Sequence, residues 1–190
     1  MLEGAAPAFC AGGDVKEFRS AEEPRARMSE RAALMTRLLT RLPRLAVPTV
    51  AIGSGPALGG GAALLLACDV VVAVEDLVLG FPEIRDSVVP AVVMGAVVDQ
   101  LPPRTAFDLL STGRRVDAGE ALSLRLVNVV FPDREEAVAA AVRYAEGWSS
   151  VSPEIIGETK RLFARMRDLP RDDALAAGWE VTAATWKPPA

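Results

Sequence analysis

Histidine is absent from all 190 residues of the chain. That excludes a Ser-His-Asp triad, a Cys-His pair and histidine-bound zinc. Any proton transfer near neutral pH must then use carboxylates, Lys, Tyr, Cys or water. Cysteine is nearly as scarce. Cys10 and Cys68 are the only two, too few for a disulfide framework. Free thiols in a reducing compartment are expected, which points to a cytoplasmic location. Aromatic residues make up 5% and the formal net charge is -4. Stacking platforms and a basic footprint are both missing, so nucleic acid is not expected as a partner.

Long hydrophobic runs are also lacking. Residues 45–68 are uncharged, but Pro48, Gly53, Gly55, Pro56, Gly59, Gly60 and Gly61 interrupt them. A strand, a glycine-rich loop and a short buried helix fit that stretch better than a membrane span. The N-terminus has no basic region followed by an apolar run, so it does not read as a signal peptide. No internal repeat is visible. The length suits one domain, or one domain with a small appendage, and is enough to build a core without staples.

What is present is an alternation of short apolar segments. Residues 15–20 read as a turn or short helix. Leu34, Leu38, Leu39 and Leu42 recur at helical spacing, and Pro43 ends that helix. Residues 48–53 are a β-branched strand, 54–61 a loop, 62–67 a buried helix, and 69–74 and 77–80 further apolar strands. Strands apolar on both faces, alternating with helices, define an α/β fold. After Pro90 the pattern is mostly helical, with apolar residues 91–101, an amphipathic helix over 104–111 ending near Gly113, and a short strand over 126–131. Asp117 and Asp133 are expected N-caps, Glu135 and Glu136 favour the first turn of the helix after Asp133, and Pro153 opens another helix. The last expected helix covers residues 172–185. Two parts are expected: a core over residues 1–132 and a helical region over 133–190.

Three clusters are candidates for chemistry. Ala11, Gly12, Gly13 and Asp14 form one glycine loop; Gly59, Gly60 and Gly61 form another, opening a helix. Two glycine-loop N–H groups from separate loops suit an oxyanion hole. Phosphate binding is the competing use, although neither cluster fits the dinucleotide or Walker pattern. Tight turns for helix–strand packing are the plain structural alternative. The third cluster is Phe81, Pro82 and Glu83, at the end of a buried strand. A carboxyl there suits a raised pKa and proton transfer, against the plainer reading of a solvated loop glutamate. Asp14 reads as a cap or turn former and Asp69 as structural. Cys10 and Cys68 read as inert thiols among small apolar residues.

The order of these segments resembles the crotonase superfamily, which includes enoyl-CoA hydratases and isomerases. PAFCAGGD at 7–14, VPTVAIGSGPALGGG at 47–61, ACD at 67–69, FPEI at 81–84 and the stretch from Thr112 to Val130 carry the resemblance. The resemblance implies a crotonase-like spiral of ββα turns with two nearly perpendicular sheets. It also implies a helical C-terminal trimerisation region, hence a homotrimer or a dimer of trimers. The implied substrate is an acyl-CoA thioester, with coenzyme A entering only as part of it. No metal and no bound redox cofactor is implied, nor any membrane partner. By position the oxyanion donors fall on Gly13 and Gly60. The substrate-binding positions are Ala11, Gly12, Gly13, Gly59, Gly60 and Pro82. One catalytic carboxyl falls on Glu83.

The other carboxyl of the hydratases falls on Ala63. Water addition uses both groups, whereas double-bond isomerisation needs one, so the resemblance favours an isomerase-type reaction with a single glutamate. Residues 81–98 are closer to short-chain and methylglutaconyl-type hydratases. A non-catalytic paralogue that binds acyl-CoA or a homologous subunit is the alternative, and hydrolysis or decarboxylation on the same oxyanion hole is a third possibility. The family's opening strands precede the segment matched here by residues 7–14, and the end is short after Trp179. The chain is therefore expected to be N-terminally truncated relative to the family.

Overall fold

The computed structural model describes residues 1–14 and 23–186. Residues 15–20, expected as a turn or short helix, lie outside that set. Seven strands are described: β1 (Leu2–Glu3), β2 (Val50–Gly53), β3 (Pro56–Leu58), β4 (Val70–Val74), β5 (Val78–Gly80), β6 (Arg115–Asp117) and β7 (Val129–Phe131). The described helices are α1 (Pro24–Arg41), α2 (Gly60–Leu66), α3 (Ala91–Met94), α4 (Pro103–Thr112), α5 (Ala118–Ser123), α6 (Arg134–Ser149), α7 (Pro153–Arg167) and α8 (Arg171–Thr185). Short 3-10 turns cover Leu42–Arg44 and Pro82–Asp86.

The strands form two sheets. One is all parallel, in the order β1-β2-β4-β7; the other has the order β3-β5-β6. The chain lays one strand in the first sheet, turns a corner, lays one in the second, and returns by a helix. β2, β3 and α2 make one such turn, and β4 and β5 begin the next. Equivalent strands of successive turns therefore run parallel, as β2 with β4 and β3 with β5 do. In the last turn the order reverses, and β6 pairs antiparallel with β5. The two corners are hydrogen-bonded to each other. The Gly55 N–H donates to Asp76 Oδ1 at 3.0 Å, and the Val78 N–H donates to the Gly55 carbonyl at 3.0 Å.

The expected loop over 54–61 was too long. Pro56, Ala57 and Leu58 are strand β3, hidden in sequence because Pro and Gly flank it. Proline fits there because it is the first residue of the strand. Residues 91–101 also depart from expectation: only Ala91–Met94 are α-helical, and turns follow to Leu101. The strand expected over 126–131 shortens to β7, and β6 was not foreseen. Asp117 and Asp133 do cap α5 and α6, accepting from the N–H groups of Glu120 and Glu136 at 2.8 and 2.9 Å. Gly113 closes α4 in the left-handed conformation, at φ 60°.

Phe81, Ile52, Leu65, Leu77 and Leu79 are among the largest fully buried side chains. Burial of each such side chain contributes roughly 1.5–3 kcal/mol relative to exposure. A second apolar cluster joins Val50, Ile52, Val72 and Val74 to Ala137, Ala140 and Ala141 of α6. Those three alanines let α6 lie close on β2 and β4. The Leu34–Leu42 stripe behaves differently from expectation. Leu39 and Leu42 pack on the core, but Leu34 and Leu38 are exposed, and α1 has no buried residue. The stripe is wider than the surface this chain offers it. Among the described residues, no helix is long and apolar enough to cross a membrane.

Candidate active site

The first glycine loop is held by strand-like pairing against β3. The Cys10 N–H donates to the Pro56 carbonyl at 3.1 Å, and the Leu58 N–H donates to the Cys10 carbonyl at 2.9 Å. Cys10 and Ala57 form a parallel bridge. The chain just beyond, Ala11 to Gly13, is thereby laid beside Leu58 to Gly60. Gly12 has φ +95°, and a Cβ there would stand 2.9 Å from the Leu58 carbonyl oxygen. Only glycine tolerates both that backbone and that approach. Ala11, Gly13 and Asp14 are exposed beside it.

The second loop turns at Gly59, with φ +55°. The Gly59 N–H is already spent on the Gly80 carbonyl at 2.8 Å, which leaves the loop tied to the end of β5. Gly60 is the first residue of α2, and the opening N–H groups of a helix have no acceptor within it. Gly61 packs directly against Cys10, too close for any side chain. The two loops thus meet through glycines on both sides.

The carboxyl of Glu83 belongs to the same place. It lies on the 3-10 turn after β5, so the strand that anchors Gly59 also positions Glu83. A Cβ on Gly59 would be 2.5 Å from Glu83 Oε1 and 3.3 Å from its carboxyl carbon. Glu83 Oε2 is buried without a hydrogen-bond partner. Burial raises the Glu83 pKa above the ordinary value of 4.5, and a hydrogen bond from its own backbone N–H offsets part of the rise. A carboxyl held this way readily takes and returns a proton.

Of the positions read from sequence, Gly12, Gly59, Gly60, Pro82 and Glu83 come together, with Ala11 and Gly13 adjoining. Ala63 is fully buried one turn into α2. Asp69 is structural: Thr49 N–H and Oγ1 each donate to its Oδ2 at 2.7 Å, and Lys160 Nζ lies 2.6 Å from the same oxygen. Burial pushes the Cys68 thiol up, which keeps it protonated and inert. Met35 was missed. It reaches over Gly60 from α1, and its only sequence signal was its place within the leucine stripe.

A cavity of about 1070 Å³ lies at the other end of α2, between α1, α3 and α7. Leu39, Leu66, Cys68, Asp69, Lys160 and Phe163 are in its wall. Neither glycine loop nor Glu83 borders it. Its buried cation Lys160 is already neutralised by Asp69, whereas the glycine site holds an unpartnered carboxyl oxygen. The glycine site is therefore the candidate for chemistry.

A two-sheet spiral with a carboxyl beside paired glycine loops defines the crotonase fold class. The chain matches the enoyl-CoA hydratase/isomerase family over residues 1–186 and belongs to it. It is 37% identical over 185 residues to a candidate enoyl-CoA hydratase of Thermus thermophilus, covering 94% of this chain and 73% of that one. It is 30% identical over 195 residues to the ethylmalonyl-CoA decarboxylase of Mus musculus, covering 100% of this chain but 60% of that protein. The fold matches the crystal structure of an enoyl-CoA hydratase/isomerase family protein from Silicibacter pomeroyi. The TM-score is 0.91 at 24% identity, over 99% of this chain and 79% of the other.

Proposed function

We propose that this chain acts on an acyl-CoA thioester through an enolate, with Glu83 as its single acid/base. The observation that carries the reading is the half-buried Glu83 carboxyl, with Oε2 enclosed and unpartnered, raised in pKa and set against Gly59. The N–H groups of Gly13 and Gly60 are assigned to the thioester oxygen, where they stabilise charge that develops only as the enolate forms. Ala11, Gly12, Gly59 and Pro82 shape the same pocket.

Double-bond isomerisation fits one carboxyl. Glu83 as carboxylate takes a proton from C2 of a 3-enoyl thioester. The released electron pair forms a dienolate, with negative charge on the thioester oxygen. Glu83 then returns the proton to C4, leaving a 2-enoyl thioester. Ala63 supplies no second carboxyl to position water, so hydration is disfavoured. A spectrophotometric assay of 3-enoyl-CoA conversion tests the reading, and Glu83→Gln should abolish it. Absence of turnover with every chain length, alongside calorimetric binding of the CoA ester, would replace it with a non-catalytic acyl-CoA-binding role.

A second reading is decarboxylation of a 2-carboxyacyl-CoA. It is favoured by relatives named ethylmalonyl-CoA decarboxylase that align along the whole of this chain. There the Cα–carboxylate bond breaks, CO₂ leaves, and its electron pair forms the enolate. A neutral Glu83 then protonates Cα. Release of CO₂ with the thioester intact distinguishes this reaction from isomerisation, and release of free CoA would mark hydrolysis. We assign the active form to a homotrimer or dimer of trimers in the cytoplasm. Exposed Leu175, Trp179 and Trp186 at the α8 end support self-association.

A further inference from the structure

We infer that Met35 is a specificity-determining residue that limits the substituent on the reacting α-carbon. The inference rests on the enolate reading above and adds the class of acyl group the site admits.

Gly59 and Gly60 are consecutive, and each has its side-chain space filled by another residue. The place a side chain would take at Gly59 is held by the Glu83 carboxyl, with Oε1 2.5 Å from that Cβ position. The place a side chain would take at Gly60 is held by Met35, with its Cε 2.7 Å from that Cβ position and its Sδ at 3.9 Å. The α-carbons of such neighbours are about 3.8 Å apart. A thioester oxygen bonded to the Gly60 N–H has its α-carbon one bond beyond the carbonyl carbon. That α-carbon must also reach the Glu83 carboxyl to exchange a proton. It is confined beside the Gly59–Gly60 backbone, with the carboxyl against one glycine and the methionine methyl against the other. A substituent on the α-carbon turned away from Glu83 meets Met35.

Met35 is half-buried on α1, a helix with no buried residue. Its side chain is unbranched, with three rotatable bonds, and it adapts more readily than a β-branched wall. Hydrogen on the α-carbon passes without displacement. A methyl group requires the thioether to turn, and an ethyl group requires it to leave Gly60. One methylene in an apolar pocket shifts discrimination by about tenfold or more.

The test uses the full chain with butyryl-CoA, 2-methylbutyryl-CoA and 2-ethylbutyryl-CoA in D₂O. In the step measured, the Cα–H bond breaks, its electron pair enters the enolate C=C bond, and the proton passes to the Glu83 carboxylate. Exchange of Glu83 with solvent then returns deuterium to Cα. Deuterium uptake is read by mass spectrometry and binding by calorimetry. Met35→Ala should raise the 2-ethylbutyryl-to-butyryl ratio about tenfold. Met35→Phe should lower the ratio, and the volume-conserving Met35→Leu should leave it near the wild-type value. An unchanged ratio in Met35→Ala and Met35→Phe, in both uptake and binding, overturns the inference and leaves the enolate reading standing. A wild-type chain that neither binds nor exchanges any of the three esters overturns both.

Discussion

The carboxyl of Glu83 occupies the position that a side chain on Gly59 would need, with Oε1 2.5 Å from that Cβ. Gly59 is also left-handed, at φ +55°. Two independent demands therefore require glycine there. Gly59→Ala should cost about 1–3 kcal/mol in stability from backbone strain, and it should displace the Glu83 carboxyl. Chemical denaturation and the isomerase assay check the two effects. Loss of stability with unchanged turnover would dissociate the glycine from the carboxyl's placement.

Glu83 links pH to stability in a defined direction. Its folded pKa is raised, so the neutral form is the one the fold favours. Its contribution is fully present below the unfolded pKa and is lost as pH rises through the folded pKa. Glu83→Gln removes the titration. The variant should be inactive yet melt higher than wild type near neutral pH, with the two converging at about pH 4. Thermal unfolding of both proteins across that range is the measurement.

Asp69 and Lys160 join the end of α2 to α7. The Lys160 side chain is only 8% exposed, and its Nζ also donates to the Val47 carbonyl at 3.0 Å. Asp69→Ala strands that ammonium and should cost about 3 kcal/mol. Lys160→Met should cost less, because Asp69 keeps both donors from Thr49. Urea titration of the two variants ranks them, and the reverse order would contradict the pairing described.

Two helix glycines should respond oppositely to alanine. A Cβ on Gly157 in α7 would stand 2.7 Å from the Ala46 carbonyl oxygen, whereas one on Gly147 in α6 meets nothing within 4 Å. Gly157→Ala should destabilise by about 1–3 kcal/mol through overpacking. Gly147→Ala should stabilise by about 0.4–1 kcal/mol through the smaller entropy of the unfolded chain. Melting temperatures decide both.

Much of the fold was legible where local chemistry dominates. The apolar β-branched run of β4 (Val70–Val74), the caps Asp117 and Asp133, Gly113 after α4 and Pro153 at the start of α7 all follow from short-range rules. Strand β3 was not legible, because Pro56 and the surrounding glycines carry a turn signature, and only pairing with β5 and with Cys10 makes them a strand. β6 was hidden for the same reason: three residues with two charges become a strand only against β5. The leucine stripe of α1 announced a helix, but whether each leucine finds a partner is a property of the surface it meets.

The candidate site divides along the same line. Sequence alone determined which groups exist: no histidine, two glycine loops, one candidate glutamate, and alanine at position 63. The order of those segments was also enough to place the chain in its family. Tertiary structure decided that Glu83 lies on Gly59, that its Oε2 is buried without a partner, and that Met35 covers Gly60. Those relationships join residues 24 and 25 positions apart, and burial and proximity across such spans arise only when the two sheets close around α2. Sequence supplies the functional groups; the environment that shifts a pKa or limits a substituent exists only in the folded chain.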